Sequence, residues 1–552
     1  MPRQHLSSDV ELELEPFYDD TDTSSSSSYV DNNHPDSPLL ESASSSSTSA
    51  VPKWLSPPTY ANHHGATRQF LRILHLLRPR RTWRYLVFHL FALYALVCLF
   101  RGEPFFASNL PSRYSGLYDV GAVDIEVPLI EPRQLSDTAL MSSGQPAFVL
   151  ESVLFTLYYP VAKGARAAAS PHPWISRPIS LTAAGFARFA HADYFFVRPI
   201  FTFLLWAIAG HIHIPAKVDA PLLQMTGNDT SLPVMIFSHG MASSRTDYTA
   251  YVSELASRGH VVAAIEHRDG SCPGSRIRVK GKPDRDVVHF DTRHVLSTPP
   301  MDALAMKREQ LAFREAEIRE AIKTIGAIND GHGRQVYDLS SRGEGTTLQD
   351  WTGRLDFDRL TIAGHSYGAT GALQALRPSN EAREADKIVA PVAAAGVILD
   401  PGKGSGPLNA NIDVPLLVVH SESWSKYSSE FFGRPHFDTV RDLVADVLNR
   451  TASVGSWFLT ARGTAHPSVT DAPIIEPLLL SAVTGARFNV GAALAQYVNV
   501  TTEFLNAVRT RQPAYLLAEK VTHEQYGQWV SPIRQVEFPK TLAHLWQIHV
   551  AP

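Results

Sequence analysis

The sequence is short of the residues and motifs on which several common classes of protein depend. Its 552 residues include two cysteines, Cys98 and Cys272, so a disulfide framework is excluded. No cluster of cysteine and histidine has the spacing of a zinc site, and neither an EF-hand nor a P-loop pattern occurs. We therefore predict that the chain uses no metal and no cofactor.

An excess of basic charge is also lacking. The formal net charge is −4 and the isoelectric point lies near 6.6, so no global positive field exists to attract nucleic acid. No apolar core follows the first residues, which excludes a secretory signal peptide at the start of this sequence. The composition is otherwise that of a globular protein able to bury at least one large core, with 44% hydrophobic residues.

Residues 1–66 have the composition of a disordered tail. Acidic residues precede two serine tracts, Ser24–Ser28 and Ser44–Ser47, and prolines are scattered through the segment. Such a segment cannot bury enough apolar surface to offset the entropy lost on ordering. A basic juxtamembrane segment is predicted over residues 67–84.

The apolar run over 85–100 is predicted to be a single-pass signal anchor. As a helix it spans about 24 Å, and including Trp83 brings it closer to the roughly 30 Å of a bilayer core. Arginines are denser before the run than after it: Arg72, Arg78, Arg80, Arg81 and Arg84 against Arg101 and Arg113. The positive-inside rule then places the N-terminus in the cytosol and the rest on the lumenal or extracellular side of an endomembrane. The alternatives are a buried core helix or an interfacial anchor.

From Tyr118 onward the pattern is that of a folded domain, predicted over 118–512 and followed by a C-terminal extension over 513–552. Predicted strands lie at Val123–Val127, Val153–Tyr159, Val234–Phe237, His260–Glu266, Leu360–Ala363, Val392–Leu399, Pro415–His420 and, as the last one, Trp457–Thr460. Predicted helices lie at Tyr248–Ser257, Asp302–Ile325, 472–483 and 498–510. This alternation predicts an α/β fold with a mostly parallel, doubly wound sheet.

An insertion over 161–220 contains few recognisable strands. Within it, residues 194–208 (YFFVRPIFTFLLWAI) are strongly apolar but interrupted by Arg198 and Pro199, and they are too short to span a bilayer convincingly. A core-packing helix, a lid and a surface that dips into lipid all remain open for this segment.

The stretch LTIAGHSYGAT, residues 360–370, joins a predicted strand to a predicted helix through the pattern G-x-S-x-G. In that setting the serine occupies a sharp turn with its hydroxyl exposed, and the glycines allow strand and helix to pack closely. Ser366 is therefore the predicted nucleophile. A serine hydroxyl needs a base within hydrogen-bonding reach and a third group that orients the base.

The predicted base is His466, which follows the last predicted strand in a loop. Later histidines, His523, His544 and His549, are competitors in the C-terminal tail. For the acid, the sequence pattern leaves Asp400 and Glu422 as alternatives, because each follows a strand after the nucleophile. The order Ser…Asp/Glu…His is typical of α/β-hydrolases.

The backbone amides of Met241 and Tyr367 are the predicted oxyanion donors. Tyr367 directly follows the nucleophile, and Met241 lies in a His-Gly-Met turn after an earlier strand. The nearby EHRD segment, residues 266–269, mixes both signs of charge and is interpreted as a structural ion-pair cluster.

With these residues in place, the chain resembles the platelet-activating-factor acetylhydrolases, the group VII phospholipases A2. The likeness runs from about Asp119 to Thr484 and rests on FSHGMASSRT (237–246), LASRGHVVAAIEHRD (255–269), GHSYGA (364–369) and GTAH (463–466). The resemblance implies an α/β-hydrolase fold with nucleophile Ser366, base His466 and acid Asp400, which favours Asp400 over Glu422, and with Met241 and Tyr367 as oxyanion donors.

The resemblance also implies an activity. Members of the family hydrolyse short or oxidised sn-2 acyl chains of phospholipids without calcium. The chain departs from soluble secreted members in its tail and apolar run, and in Tyr367, where the family often has phenylalanine. We therefore expect a membrane-anchored serine esterase with a phospholipid substrate. The alternatives are a general carboxylesterase or lipase on neutral esters, and a catalytically silent scaffold.

Overall fold

The computed structural model of the chain describes residues 82–101, 108–225, 230–378, 392–451, 455–477, 484 and 486–552. The predicted tail over 1–66 and most of the basic segment over 67–84 lie outside the described residues, as does Asn228, which begins the N-glycosylation triplet Asn-Asp-Thr. The chain divides into two compact units, the second of which starts at Phe106 and runs to Pro552. Each unit is described by itself below.

The first unit contributes one described helix, α1 (Trp83–Arg101). Its window Trp83–Phe100 has a mean hydropathy of 1.7, and its side chains are almost all exposed. At 1.5 Å per residue the helix is about 28 Å long, close to the thickness of a bilayer core. Among the described helices it is the one long and apolar enough to cross a membrane, and the buried-core-helix alternative does not fit its exposure.

The second unit alternates strands with helices along most of its length. Its strands are β1 (Asp119–Gln134), β2 (Ala139–Leu140), β3 (Val149–Val161), β4 (Lys217–Val218), β5 (Leu232–Ser238), β6 (Val261–Ile265), β7 (Gly274–Ile277), β8 (Arg285–Val288), β9 (Val295–Leu296), β10 (Leu355–His365), β11 (Ala395–Leu399), β12 (Leu416–Ser421), β13 (Glu430–Phe431), β14 (Arg434–Pro435), β15 (Trp457–Ala461), β16 (His523–Gln525), β17 (Gln528–Trp529) and β18 (Trp546–Val550).

Its helices flank these strands. They are α2 (Ile179–Phe189), α3 (Val197–Ala209), α4 (Thr249–Ala256), α5 (Ala303–Ala327), α6 (Gly333–Leu339), α7 (Tyr367–Ala375), α8 (Glu422–Lys426), α9 (His436–Arg450), α10 (Ala472–Ile475), α11 (Val490–Thr510), α12 (Pro532–Glu537) and α13 (Lys540–Ala543).

Ten strands form one large sheet in the order β18-β15-β12-β11-β10-β5-β6-β3-β1-β4. The six strands from β15 to β6 are parallel to one another, while β3 is antiparallel to both β6 and β1, and β18 is antiparallel to β15. An antiparallel pair at one edge, followed by parallel strands in which β6 and β5 exchange places, is the strand arrangement of the α/β-hydrolase fold. The predicted fold class is confirmed.

The sheet is buried on both faces, as expected of central parallel strands. Along β5, Val234 and Ile236 pack into one hydrophobic cluster, and Met235 and Phe237 pack into a second cluster across the sheet. Residues of α5, α7 and α9 join the first cluster, and residues of α4 and α11 join the second. Because the central strands are parallel, their carboxyl ends lie at one rim of the sheet, where loops can carry function.

Helix α5 follows from its sequence. Asp302 caps it by accepting a hydrogen bond from the Ala305 amide at 2.6 Å. Ile318, Ile322 and Ile325, spaced for one helical face, are buried against the sheet. The prediction of a helix over Asp302–Ile325 therefore holds to within two residues at its C-terminal end.

The C-terminal region differs from the prediction. The strand Trp457–Thr460 is not the last, because residues 513–552, predicted to be an extension, supply the edge strand β18. Polar Gln547 and His549 interrupt its apolar pattern, but both are buried with partners: Gln547 Oε1 accepts from the Gly527 amide (2.9 Å), and His549 Nε2 lies 2.8 Å from Thr460 Oγ1. Helix α11 also begins earlier than predicted, at Val490, because the Asn489 side chain caps it.

The insertion over 161–220 folds into α2 and α3. Helix α3 buries a single residue, Ala209, and exposes Phe203 and Trp206 to 61% and 59%. Phe195, just before the helix, is 88% exposed. The core-packing alternative for 194–208 is therefore wrong, since the apolar side chains face outward rather than into a core.

Candidate active site

Ser366 occupies the turn between β10 and α7. Its backbone has φ 56° and ψ −123°, a region that residues with a side chain enter at a cost of about 1–3 kcal/mol. The flanking glycines are required by close packing. A β-carbon on Gly364 would lie 2.2 Å from the Gly368 oxygen, and one on Gly368 would lie 2.0 Å from the Ser238 oxygen. The sequence pattern and this geometry agree.

His466 reaches back over this turn from the loop after β15. Its Nε2 lies 3.0 Å from Ser366 Oγ, and its Nδ1 lies 2.9 Å from Asp400 Oδ2. An ionised carboxylate can only accept, so Nδ1 carries the proton and Nε2 is left to accept from the serine hydroxyl. The structure thus brings the three predicted side chains together in the order that activates a serine.

Asp400 is held in place by a second strand end. It follows β11 directly, has φ 47° and is 1% exposed. The Ser421 amide and hydroxyl, at the end of β12, donate to its two carboxylate oxygens at 2.6 and 2.7 Å. A carboxylate with these donors is fixed both in position and in its acceptor role.

The alternative acid, Glu422, and two competitors of His466 for the role of base, His523 and His549, lie elsewhere. Glu422 accepts from the Tyr526 hydroxyl at 2.7 Å and from the Gly463 amide, so it braces the loop that carries His466 without bonding to the imidazole. His549 pairs with Thr460 in the sheet, and His523 pairs with Thr522. The geometry agrees with the choice of Asp400.

The predicted oxyanion donors are the backbone amides of Met241 and Tyr367. Neither Met241 N–H nor Tyr367 N–H donates to another group in the part of the chain that the structure describes. The neighbouring Gly240 amide is committed, because it donates to the Tyr248 hydroxyl at 3.1 Å. A β-carbon at Gly240 would lie 3.2 Å from Ser366 Cβ, so this turn packs directly against the nucleophile.

Behind the turn lies a hydrogen-bond chain that the sequence did not reveal. The Tyr248 hydroxyl lies 2.8 Å from His365 Nδ1, and the His365 ring packs against the His466 ring with centroids 4.5 Å apart and planes tilted by 35°. His365 Nε2 is 4.0 Å from Asp400 Oδ2, beyond hydrogen-bonding distance. Burial lowers the pKa of His365 well below its usual value, so this imidazole is neutral. The histidine of the GHSYG motif was visible, but no pattern linked it to Tyr248.

The exposed side of His466 is covered by an indole. Trp424, in α8, stacks on the imidazole with centroids 4.0 Å apart and planes 12° from parallel. The indole N–H donates to the carbonyl of Pro401, directly after Asp400, at 3.0 Å. Trp424 therefore links His466 to the loop that carries Asp400.

A second array of serine, histidine and acid lies nearby, and the sequence analysis missed it. Ser238 Oγ is 2.7 Å from His267 Nε2, and His267 Nδ1 is 2.6 Å from Glu317 Oε2. Burial raises the pKa of Glu317 and lowers that of His267, so the pair is neutral.

Access separates the two arrays. Ser238 and His267 are fully buried, whereas the His466 side chain is 29% exposed. The buried array joins the ends of β5 and β6 to α5, so we interpret it as structural. The neighbouring EHRD residues fit the ion-pair interpretation: Arg268 pairs with Glu126 at 2.6 Å, and Asp269 with Arg314 at 2.8 Å.

The residues around Ser366 include three side chains of the types that bind metal ions. Ligand atoms of His365, Asp400 and His466 lie within 4.8 Å of one another. Asp400 and His466 are hydrogen-bond partners, the His365 and His466 rings pack at a tilt, and His466 Nε2 faces Ser366. The residues therefore fit acid–base chemistry at a serine, and we assign no metal role to them.

Comparisons with known proteins agree with this chemistry. The family model of platelet-activating factor acetylhydrolase, isoform II, matches residues 106–534. The platelet-activating factor acetylhydrolase of Cavia porcellus is 28% identical over 226 residues, covering 40% of this chain and 46% of that protein. The protein of the same name from Canis lupus familiaris is 34% identical over 169 residues, covering 30% and 36%.

A putative phospholipase A2 of Schizosaccharomyces pombe (strain 972 / ATCC 24843) is 34% identical over 149 residues, covering 26% of this chain and 34% of that protein. The matches thus span well under two thirds of these relatives' lengths. Among solved structures, a ferulic acid esterase from Streptomyces cinnamoneus superposes with a TM-score of 0.44 at 17% identity, covering 79% of this chain and 98% of that one.

Proposed function

Because the chain belongs to the platelet-activating factor acetylhydrolase, isoform II, family, we propose that it is a serine esterase that cleaves the sn-2 ester of platelet-activating-factor-like phospholipids. The acyl chain removed is acetyl or another short or oxidised chain, and no calcium takes part. The observation that carries the proposal is the continuous hydrogen-bond chain from Ser366 through His466 to Asp400, at 3.0 and 2.9 Å.

Acylation begins with the serine hydroxyl. Ser366 Oγ bonds to the sn-2 carbonyl carbon as its proton passes to His466 Nε2, and the carbonyl oxygen becomes an oxyanion. Asp400 accepts from Nδ1–H throughout and stabilises the imidazolium. When the tetrahedral intermediate collapses, the bond to the sn-2 oxygen breaks, and that oxygen takes the proton from Nε2 and leaves as the lysophospholipid.

Deacylation repeats the sequence with water. Water gives a proton to His466 Nε2 as its oxygen attacks the acyl-Ser366 ester, and collapse restores the hydroxyl and releases the carboxylic acid. In both halves the amides of Met241 and Tyr367 donate to the oxyanion. A donor of this kind contributes about 3 kcal/mol to the transition state, which is why no calcium ion is needed to polarise the carbonyl.

The helix α1 supports a membrane location. We propose that it anchors the chain as a single pass, because its length matches a bilayer core and residues 85–100 are apolar except for His89. In this proposal the arginine-rich N-terminal end of the helix, which includes Arg84, lies in the cytosol, and the esterase unit lies on the lumenal or extracellular side.

The exposed face of α3 supports a second contact with lipid. Phe195, Phe203 and Trp206 form part of an outward-facing apolar surface that water solvates poorly. A bilayer is the occupant proposed for this surface, because the substrate is itself a membrane lipid and aromatic side chains favour the bilayer interface. The segment then acts as an interfacial surface.

The test uses the full-length protein, purified in detergent. We expect hydrolysis of a water-soluble acetyl phospholipid in calcium-free buffer, and no turnover by Ser366→Ala although its melting temperature is retained. Hydrolysis confined to a neutral ester such as p-nitrophenyl acetate would favour the carboxylesterase alternative. No hydrolysis of either substrate would favour a silent scaffold.

A further inference from the structure

The N-terminal turns of α5 lie at the rim that carries Ser366. A helix that connects two parallel strands runs antiparallel to them, so its start lies at their carboxyl ends. Helix α5 follows β6 and precedes β10 in this way. Lys307 lies in its second turn, near this rim, and is partly buried.

Lys307 contacts the residue next to the nucleophile. Its ammonium lies 4.6 Å from the ring centroid of Tyr367, whose backbone amide is the proposed oxyanion donor. A β-carbon at Gly406, in the loop after Asp400, would lie 3.7 Å from Lys307 Cβ. The lysine thus lies between the turn of the nucleophile and the loop of the acid.

The ammonium has little to bind. Within the described residues no carboxylate lies within 4.0 Å of it, and its one hydrogen bond, to Gln310 Oε1, is 3.4 Å long. The two acids whose charges attract this ammonium are already paired, Asp269 with Arg314 and Asp291 with His294. Burial lowers the pKa of Lys307 to about 8, against the attraction of these acids.

A neighbouring imidazole also lacks a partner. His289 is 5% exposed, its Nδ1 has no hydrogen-bond partner, and it interacts electrostatically with Lys307 and Asp291. Its ring packs edge-on against Phe189, the last residue of α2. A partly buried cation and a buried ring nitrogen without a partner suit an anion with several acceptor oxygens.

We propose that Lys307, with His289 beside it, forms a subsite for the phosphodiester of the substrate. The inference rests on the proposed function and deepens it. In a glycerophospholipid the sn-2 carbonyl and the phosphorus are separated by a few covalent bonds, so a phosphate beside Tyr367 leaves the ester at Ser366. Lys307 then selects phosphate-bearing esters over neutral esters without touching the reacting atoms.

The test compares full-length Lys307→Met with wild type on two substrates. On a water-soluble acetyl phosphatidylcholine we expect kcat/KM to fall at least tenfold, mostly through KM, while kcat/KM on p-nitrophenyl acetate stays within twofold. Lys307→Arg should recover most of the loss. Lys323→Met is the matched control, because it removes the same charge from the far end of α5, where Lys323 is 53% exposed.

A second measurement separates the subsite from phospholipid turnover. Glycerophosphocholine should inhibit p-nitrophenyl acetate hydrolysis by wild type and by Lys323→Met, but at least tenfold more weakly in Lys307→Met. Inhibition by inorganic phosphate at similar concentrations would identify free phosphate, rather than the lipid headgroup, as the ligand and would overturn the assignment to substrate.

The outcomes distinguish the inference from its premise. Equal losses on both substrates in Lys307→Met, or equal losses in Lys307→Met and Lys323→Met, overturn the subsite and leave the esterase proposal intact. Wild type that hydrolyses only the neutral ester overturns the proposed function. In that case glycerophosphocholine inhibition that depends on Lys307 would still support the subsite.

Discussion

Removal of the Tyr248 hydroxyl should lower both the stability of the fold and the rate of ester hydrolysis, and a matched control variant separates the two effects. It accepts from the Gly240 amide at 3.1 Å and bonds to His365 Nδ1 at 2.8 Å, and both groups are buried. The change Tyr248→Phe keeps the ring and leaves both groups without a partner. Each orphaned buried group costs about 1–3 kcal/mol, so the free energy of unfolding should fall by roughly 2–6 kcal/mol.

The same deletion should slow the reaction. Without its partner the Gly240 turn relaxes, and the next amide, Met241, loses its aim at the oxyanion. Complete loss of one such donor costs about 3 kcal/mol, or roughly 100-fold in rate, so partial misalignment should lower kcat by about 10- to 100-fold with little change in KM.

Tyr251→Phe is the matched control. Tyr251 lies in α4, one turn from Tyr248, is fully buried and bonds through its hydroxyl to Thr501 at 2.8 Å. It contacts no residue of the site named above, so its removal should cost about 1 kcal/mol of stability and leave kcat unchanged. The assay is ester turnover with full-length protein, beside thermal unfolding. Unchanged kcat in Tyr248→Phe, or equal loss of kcat in both variants, would refute the positioning argument.

Four further expectations concern the acid, the pH dependence, the topology and the lipid surface. Asp400→Asn should lower kcat by about 10⁴-fold, whereas Glu422→Gln should retain most activity; the reverse order in steady-state kinetics would show that the wrong acid was chosen. Burial raises the pKa of Asp247 to about 7, so the protonated carboxyl stabilises the folded protein, and this contribution is lost as the pH rises from about 4 to 7. Asp247→Asn should therefore match wild type in urea unfolding at pH 4 and be more stable at pH 8, by at most about 4 kcal/mol. Asn449 is exposed and begins the N-glycosylation triplet Asn-Arg-Thr, so it should carry a glycan in eukaryotic cells if the esterase unit is lumenal. The glycan would be seen as a mobility shift that Asn449→Gln abolishes. An unmodified chain would argue against lumenal topology. In proteoliposomes, Trp206→Ser should slow hydrolysis of bilayer substrate about tenfold but leave monomeric substrate unaffected; an equal effect on both would contradict the lipid contact.

Local patterns were sufficient for the elements that carry the chemistry. The β10–α7 turn can be predicted from the sequence because its geometry allows few residue types. The backbone at Ser366 is strained, and the close contacts at positions 364 and 368 leave room only for glycine. Helix α5 was equally readable from its cap at Asp302 and its apolar face. Such features are encoded within a few residues of each other.

Features assembled from distant residues could not be read in this way. The chain from Gly240 through Tyr248 to His365 joins a loop, a helix start and a strand end, and each residue looks ordinary in its own segment. Strand β18 was missed for a similar reason. The polar side chain of Gln547 breaks its apolar pattern, and its hydrogen-bond partner, the Gly527 amide, is known only from the fold. The exposure of α3 likewise depends on what the rest of the fold leaves uncovered.

The central claim is that Ser366, and not the buried Ser238, is the nucleophile of a working esterase. A fluorophosphonate probe reacts with an activated serine, and peptide mass mapping locates the adduct. We expect a single adduct on the peptide that contains Ser366, lost in Ser366→Ala and strongly reduced in His466→Ala. An adduct on Ser238, or no adduct on folded full-length protein, would contradict the account.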